Sequence, residues 1–212
     1  MDHTTFDTLA RARRSCRNFQ EGQLDEVSIR SILEAGWLAP HAGATGVALA
    51  DKRRFIVVRR ESAAHERLYT LALARLKANR RRLIIAGRFV PGFAKKTTTF
   101  VKRLDALINN GIRTLREASV WIIVAERKGF PPAEGKSIAH VMQNMWLKAT
   151  ELGVGFMLLT MTGMLSADAT VIAELGLARG EWELDGCLIG PPVRPLTPSV
   201  ESLPANAVAW LD

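Results

Sequence analysis

Cysteine is scarce in this chain: Cys16 and Cys187 are the only two among 212 residues. They lie far apart and fit neither a CxxC nor a zinc-ligand spacing, so they are read as reduced thiols of a cytoplasmic protein. Histidine is limited to His3, His41, His65 and His140, with no HxxxH or HxH grouping, and a metal site has no ligand set to build on. Long hydrophobic runs are missing. No stretch of about 18 uncharged apolar residues occurs, so no membrane span is expected. The opening Met1-Asp2-His3-Thr4-Thr5 has no basic segment followed by an apolar run, and no secretory signal is expected. Glycine-rich phosphate loops are absent too. Neither GxGxxG nor GxxxxGK[ST] is present, which removes the phosphate cradle of a Rossmann or P-loop protein. No Ser-His-Asp or paired-carboxylate arrangement stands out, and there is no internal repeat or low-complexity linker.

Acid is missing from one long segment. Arg75, Lys77, Arg80, Arg81, Arg82, Arg88, Lys95, Lys96, Lys102 and Arg103 follow one another without an Asp or Glu between them. Such a run suits nucleic acid, an anionic membrane or an acidic partner, and equally a solvated face. It lacks the interleaved aromatics of a single-strand platform, so nucleic acid is not the expected partner. The remaining composition is that of an ordinary globular protein, 48% apolar and 24% charged with a net charge of +8, and it is long enough for one domain with a real core.

Periodicity divides the chain into helices and strands. A short helix is expected over 5–14. A clearer one follows, with Ile29, Ile32, Leu33, Gly36 and Trp37 on one face, Asp25 as its cap and Pro40 as its stop. Phe55-Ile56-Val57-Val58 reads as a buried strand. Helix is expected over 62–82 and 95–116, separated by the Pro91-Gly92 break. Val120-Trp121-Ile122-Ile123-Val124 is a second buried strand. The strongest helix covers 137–152, with Ile138, Val141, Met142, Met145, Ala149 and Leu152 as its core stripe and Gly153 at its end. Strands at 156–159 and 184–189 flank a short helix at 166–176, and a proline-rich extended tail begins at Pro191. This order predicts an α+β fold with a mixed sheet of about four to five strands wrapped by helices.

One cluster carries chemistry. Arg13, Arg14, Ser15 and Arg17 fall within five residues where a helix gives way to extended chain. Guanidinium groups hold phosphate through paired hydrogen bonds, and a hydroxyl adds another. Alternation along an extended stretch would point Arg13, Ser15 and Arg17 the same way. The alternative is a basic helix end facing its own dipole. Tyr69 reads as core packing, Gln143-Asn144 as structural hydrogen bonding, and Met142, Met145 and Met157 as core filler.

Five segments in order resemble the nitroreductase-like FMN flavoproteins. They are Arg13 to Phe19 (RRSCRNF), Ile32 to Pro40 (ILEAGWLAP), Arg54 to Val58 (RFIVV), Gln143 to Gly155 (QNMWLKATELGVG), and Gly190-Pro191 with Arg194-Pro195. The resemblance spans roughly residues 6 to 203. It implies one nitroreductase-like domain over 1–212, in a homodimer, with 63–117 as a basic helical excursion and candidate active-site lid. It implies that Arg13, Arg14, Ser15 and Arg17 bind FMN at its phosphate and N1/O2 edge, with Arg17 near N1, where a cation raises the flavin's potential. It further implies that Pro40 and His41 reach the flavin of the other subunit, that Arg194 is a late phosphate ligand, and that Thr160, Met161, Thr162 and Gly163 form a loop at the O4/N5 edge.

There are departures. The family often has Ser-x-x-Asn-x-Gln-Pro-Trp after the Ala-Pro. Here His41 to Gly46 and a longer 47–53 stretch stand instead, so the Asn and Gln that read the pyrimidine edge are missing. The function the resemblance implies is an FMN-dependent oxidoreductase. It carries electrons from NADPH or NADH to a small aromatic or quinone-like acceptor in a ping-pong cycle, with no side-chain catalyst required. A flavin-binding protein without turnover, and a basic protein that docks on nucleic acid or membrane, are the competing readings.

Overall fold

A computed structural model describes residues 6–42 and 48–210. The element order is α1 (Phe6–Ala12), α2 (Glu26–Trp37), α3 (Leu49–Lys52), β1 (Arg53–Arg59), α4 (Ala63–Phe89), α5 (Phe93–Asn109), α6 (Arg113–Glu117), β2 (Val120–Arg127), α7 (Glu134–Glu151), β3 (Gly155–Leu158), α8 (Ala169–Glu174) and β4 (Trp182–Gly190). Short 3-10 turns cover Thr160–Leu165 and Ala205–Ala207. No described helix is long and apolar enough to cross a membrane.

The four strands form one sheet in the order β1-β2-β4-β3, every neighbouring pair antiparallel. The parallel element among the described residues is a single bridge, Ser15 to Phe156, at the β3 edge. β2 runs through the middle and is buried on both sides. Its alternate residues face two separate cores, as the two-residue period of a strand requires. Trp121, Ile123 and Ala125 join Leu68, Leu76, Val171 and Leu184 under α4 and α8. Val120, Ile122 and Val124 join Ile29, Ile32, Val141 and Met145 under α2 and α7. Helices thus cover both faces, the α+β architecture expected from the sequence.

Local chemistry explains the boundaries. Asp25 caps α2: its carboxylate accepts from the Ser28 amide at 2.8 Å and from the Ser28 hydroxyl at 2.7 Å. Those two bonds hold the Asp25 carboxyl below the usual aspartate range. α7 ends at Gly153, whose φ of +70° closes the helix. α2 crosses α7 at Gly36, where a Cβ would lie 2.7 Å from Met145 Cγ, so a larger residue would have to displace the buried Met145 side chain.

Two of the departures from the expected elements have a local cause. The single helix expected over 95–116 is two helices, because Gly111 and Ile112 adopt φ of +58° and +48°. Tyr69, a core residue as read, donates its hydroxyl to the Gly111 carbonyl at 2.7 Å and fixes that reversal. The helix expected over 166–176 begins at Ala169, where Asp168 accepts from the Thr170 and Val171 amides, and residues 166–168 link it to the preceding 3-10 turn.

Asp185 on β4 carries a testable cost. It is half-buried, and desolvation raises its pKa against the opposing hydrogen bond from the Gly186 amide. An acid with a raised folded-state pKa binds its proton more tightly folded than unfolded. Stability therefore falls as pH climbs between the unfolded and folded pKa values, and the penalty is complete above the folded one. Asp185→Asn keeps the amide acceptor and removes the charge. It is expected to raise the melting temperature at neutral pH, by about 2–4 °C per kcal/mol relieved, and to flatten the acid-side pH dependence, both read by thermal melts across pH.

Candidate functional site

The N-terminal extended segment is stitched between two distant parts of the chain. On one side the Cys16 amide donates to the Phe156 carbonyl at 2.9 Å, which extends the sheet past β3. On the other, the Gln20 amide donates to Pro191 O at 3.0 Å and the Val193 amide to Asn18 O at 3.2 Å. Between these seams open two adjoining cavities. One, of about 430 Å³, is lined by Ser15, Cys16, Arg17, Asn18, Val193, Arg194 and Leu196. The other, of about 490 Å³, shares Val193, Arg194 and Leu196 and continues to Gln20, Thr150 and Gly153 to Gly155. Volumes of this size suit a small-molecule ligand. No Asp or Glu lines either cavity, while two guanidinium groups and a hydroxyl do, a donor set that matches a phosphate dianion.

Ser15, Arg17 and Arg194 are therefore brought together. Arg13 is not among the lining residues. Its guanidinium carbon lies 4.3 Å from the Trp146 ring centroid, a cation-π contact. Trp146 also donates its indole N–H to the Arg14 carbonyl at 3.2 Å. α7 thereby anchors the segment, a role for Trp146 that the sequence offered no means of seeing. Arg14 itself is exposed, with no side-chain partner among the described residues. Cys16 is buried at the back of the cleft, where desolvation raises its thiol pKa despite a bond to the Asn18 carbonyl. Cys187 is fully buried and raised further. Neither thiol is poised to react.

The other predicted residues divide by exposure. Pro40 is exposed at the end of α2. The His41 side chain turns inward, where its Nδ1 lies 3.1 Å from Glu126 and its Nε2 is covered and without a partner among the described residues. The rest of the divergent 41–47 stretch lies largely outside the described residues. In the 160–163 turn, Thr160 is exposed, whereas Met161 and Thr162 are buried and Gly163 is half-buried. Of these four, Thr160 alone has an exposed side chain, and it lines neither cavity. Met161 packs into the core, and Thr162 Oγ1 sits against Gly186.

Beneath the Ala39-Pro40-His41 segment lies a buried ion pair. Arg53 and Glu126 face each other in register across β1 and β2, both fully buried, with Arg53 Nε donating to Glu126 at 2.5 Å. The same guanidinium donates to the carbonyls of Gly36, Trp37 and Ala39 at 2.9–3.1 Å and to Pro40 at 3.4 Å. It thus caps the last turn of α2, whose carbonyls have no helical partner. Glu126 in turn holds His41, and the Ala42 amide donates to Ser137 of α7 at 2.8 Å.

The α4–α5 hairpin packs on the 160–165 turn through α4, and none of its residues lines either cavity. Asn79 in α4 donates to Met164 at 3.1 Å, beside the 160–163 turn. Arg113 in α6 donates to the Asn18 side chain at 2.8 Å. Of the excursion's cations, Arg80 is paired with Asp105. Among the described residues no group of three or more His, Cys, Asp or Glu side chains could hold a metal ion.

The topology thus sets an acid-free cleft between an Arg-Ser-x-Arg segment and a late arginine, the arrangement of a protein that binds a phosphate-bearing small molecule. The nitroreductase family model matches residues 10–190, and the chain belongs to that family. Solved structures share the fold at low identity. A nitroreductase with bound FMN from Desulfitobacterium hafniense DCB-2 is 21% identical, with all of both chains covered and a TM-score of 0.67. A BluB-like flavoprotein from Clostridium difficile 630 is 20% identical over 98% of this chain and 99% of that one, with a TM-score of 0.68. A variant of an FMN and NADPH-dependent nitroreductase from sphigopyxis sp. strain HMH is 19% identical over 96% and 97%, with a TM-score of 0.67. No curated protein sequence matches the chain.

Proposed function

We propose that this protein is an FMN-dependent oxidoreductase that carries electrons from NADPH or NADH to a small aromatic or quinone-like acceptor and works as a homodimer. The observation that carries this reading is the meeting of Ser15, Arg17 and Arg194 in a cleft free of acid. Arg17 and Arg194 supply charge-assisted donors, Ser15 a hydroxyl, and Gly155 lets the floor of the cleft lie close to the N-terminal segment. Arg13, Arg14 and Gly163 are assigned supporting places at the rim, by resemblance to the family. When bound, FMN supplies the hydride and electron chemistry. The chain's part is to hold the phosphate, to place a cation beside the ring and to present Thr160 at its edge. Pro40 serves the second subunit's site, with His41 as its buried support. The exposed tail residues Val208 and Trp210 are assigned to the dimer contact.

The test is the visible spectrum of the purified protein, followed by anaerobic titration with NADPH and NADH. A flavin spectrum bleached by either nicotinamide is the expected result. A colourless protein that takes up no added FMN would overturn the proposal, and bound FMN that neither nicotinamide reduces would leave a binding protein without turnover.

Gly155→Ala tests the cleft from its floor. The new Cβ would lie 2.8 Å from Cys16 Sγ and 3.0 Å from the Gly190 carbonyl. A cost of about 1–3 kcal/mol is expected, together with weaker FMN binding as the Ser15–Arg17 segment is pushed outward. Thermal melts and flavin titration read the two effects.

The hairpin base is assigned the role of cover beside the open flavin face. Arg81 and Arg82 are exposed and make no ion pair among the described residues, so they are free to attract the extra phosphate of NADPH. Arg81→Ala with Arg82→Ala is expected to slow reduction by NADPH about tenfold and by NADH less. The difference should shrink as the Debye length falls to about 8 Å at physiological salt. Equal NADPH rates in stopped-flow reduction would remove this role.

A further inference from the structure

The α4–α5 hairpin extends well past the 160–165 turn on which α4 packs. α4 meets the 160–165 turn at Asn79 and runs ten residues further to Phe89, roughly 15 Å at the helical rise of about 1.5 Å per residue. α5 returns along α4 and packs chiefly on it. The reversal is Val90-Pro91-Gly92, with Gly92 at φ +74° and open space where a side chain would stand.

The chemistry of this outer part is consistent along both helices. Ile85, Phe89, Val90 and Phe100 are exposed, Phe89 at 79% and Val90 at 50%. Large apolar groups at such exposure on a projecting tip mark a surface meant to be covered. Around them Arg88, Lys95, Lys96, Lys102 and Arg103 are exposed and make no ion pair among the described residues. No acid lies between Arg75 and Arg103, and the nearest one beyond, Asp105, is taken by Arg80.

We propose that the outer α4–α5 hairpin is a docking surface for an anionic phospholipid bilayer. Phe89 and Val90 enter the headgroup region, and the surrounding cations meet lipid phosphates. An apolar tip inside a ring of Lys and Arg is the pattern of an interfacial segment, in which apolar burial and attraction to anionic lipid act together. A nucleic acid would satisfy the cations and its bases could stack on Phe89 or Phe100, but it would leave Ile85 and Val90 uncovered, so it is an outcome of the test. A second copy of the chain offers apolar surface, but it carries a net charge of +8, so on average it repels the cationic ring that anionic lipid attracts. The proposal stands on the tip alone and does not depend on the redox reading.

The experiment uses the whole protein and vesicles of phosphatidylcholine, with or without phosphatidylglycerol. Cosedimentation with the mixed vesicles only is expected. Binding should weaken about tenfold in Phe89→Ser/Val90→Ser and in Arg88→Ser/Lys95→Ser/Lys96→Ser, since apolar burial and charge both contribute. In Phe89→Trp, the added tryptophan should be quenched by brominated lipid when the mixed vesicles bind, which also covers the case that a serine variant folds poorly. Absence of wild-type binding to phosphatidylglycerol vesicles would overturn the proposal. So would Phe89→Trp unquenched in the bound state with equal capture of a single-stranded oligonucleotide, which would mark a general polyanion surface. A loss of dimer in Phe89→Ser/Val90→Ser by sedimentation velocity would assign the tip to a second copy instead.

Discussion

Protein carrying Arg17→Ala together with Arg194→Ala is expected to purify without FMN. The two guanidinium groups line one cavity with Ser15 and have no acid opposite them there, so their hydrogen-bonding capacity is free for a ligand phosphate. A hydrogen bond to a charged group contributes about 1.5–3 kcal/mol. Losing two such contacts corresponds to a fall in affinity of roughly two to four orders of magnitude, at about 1.4 kcal/mol per decade. Flavin content after gel filtration and a titration of apoprotein with FMN measure it. The same replacements should leave the melting temperature of apoprotein nearly unchanged, because Arg17 and Arg194 are exposed and make no salt bridge among the described residues. Wild-type FMN retention in this folded variant would sink the phosphate-site assignment. Arg13→Ala is a useful contrast. Its side chain stacks on Trp146, so it should affect stability as well as binding.

The second large effect is expected at Arg53 and Glu126. Glu126→Ala leaves the fully buried Arg53 guanidinium without its counter-charge. Removing one partner of a buried pair costs about 3–5 kcal/mol, which for a chain of this size is roughly 10 °C of melting temperature. The pair does more than satisfy itself, since Arg53 also holds the carbonyls of Gly36, Trp37, Ala39 and Pro40. Replacing both residues by Leu should recover much of the lost stability, because apolar substitutes for a buried pair are often neutral. It should not restore the Pro40-His41 segment, whose anchor is gone. A double variant that melts near wild type but dimerises or holds FMN more weakly would show the positioning role. Full recovery of both properties would reduce the pair to a structural one.

The divergence after Ala39-Pro40 takes its meaning from this pair. At the end of the longer 47–53 stretch, this chain places Arg53 beside Arg54. In the sequence, Arg53 looked like one more cation in a basic chain. Its partner Glu126 lies 73 residues away, past two long helices, and only strand register brings them together. The strand expected to end at Val124 continues to Arg127 for the same reason: a carboxylate can occupy a buried sheet position once a guanidinium faces it.

What the sequence determined by itself was local and periodic. The Asp25 cap and the apolar spacing of Ile29, Ile32 and Gly36 set α2. The stripe from Ile138 to Ala149 set α7. An unbroken β-branched and aromatic run set β2 as a central strand. These features depend on neighbours within a turn or two, so they can be read without knowing the fold, as can the Arg13 to Arg17 cluster with its five-segment resemblance. What only the tertiary structure decided was non-local. It put Arg194 opposite Arg17 through two backbone seams, drew Arg13 away onto Trp146, turned His41 inward to Glu126, and buried Met161 and Thr162 while leaving Thr160 exposed. It also carried the basic segment out beyond the cleft as a projecting hairpin. Side-chain direction at such sites is set by what packs against the backbone from far along the chain. No periodicity records that, because the deciding energies are burial and hydrogen bonding between elements.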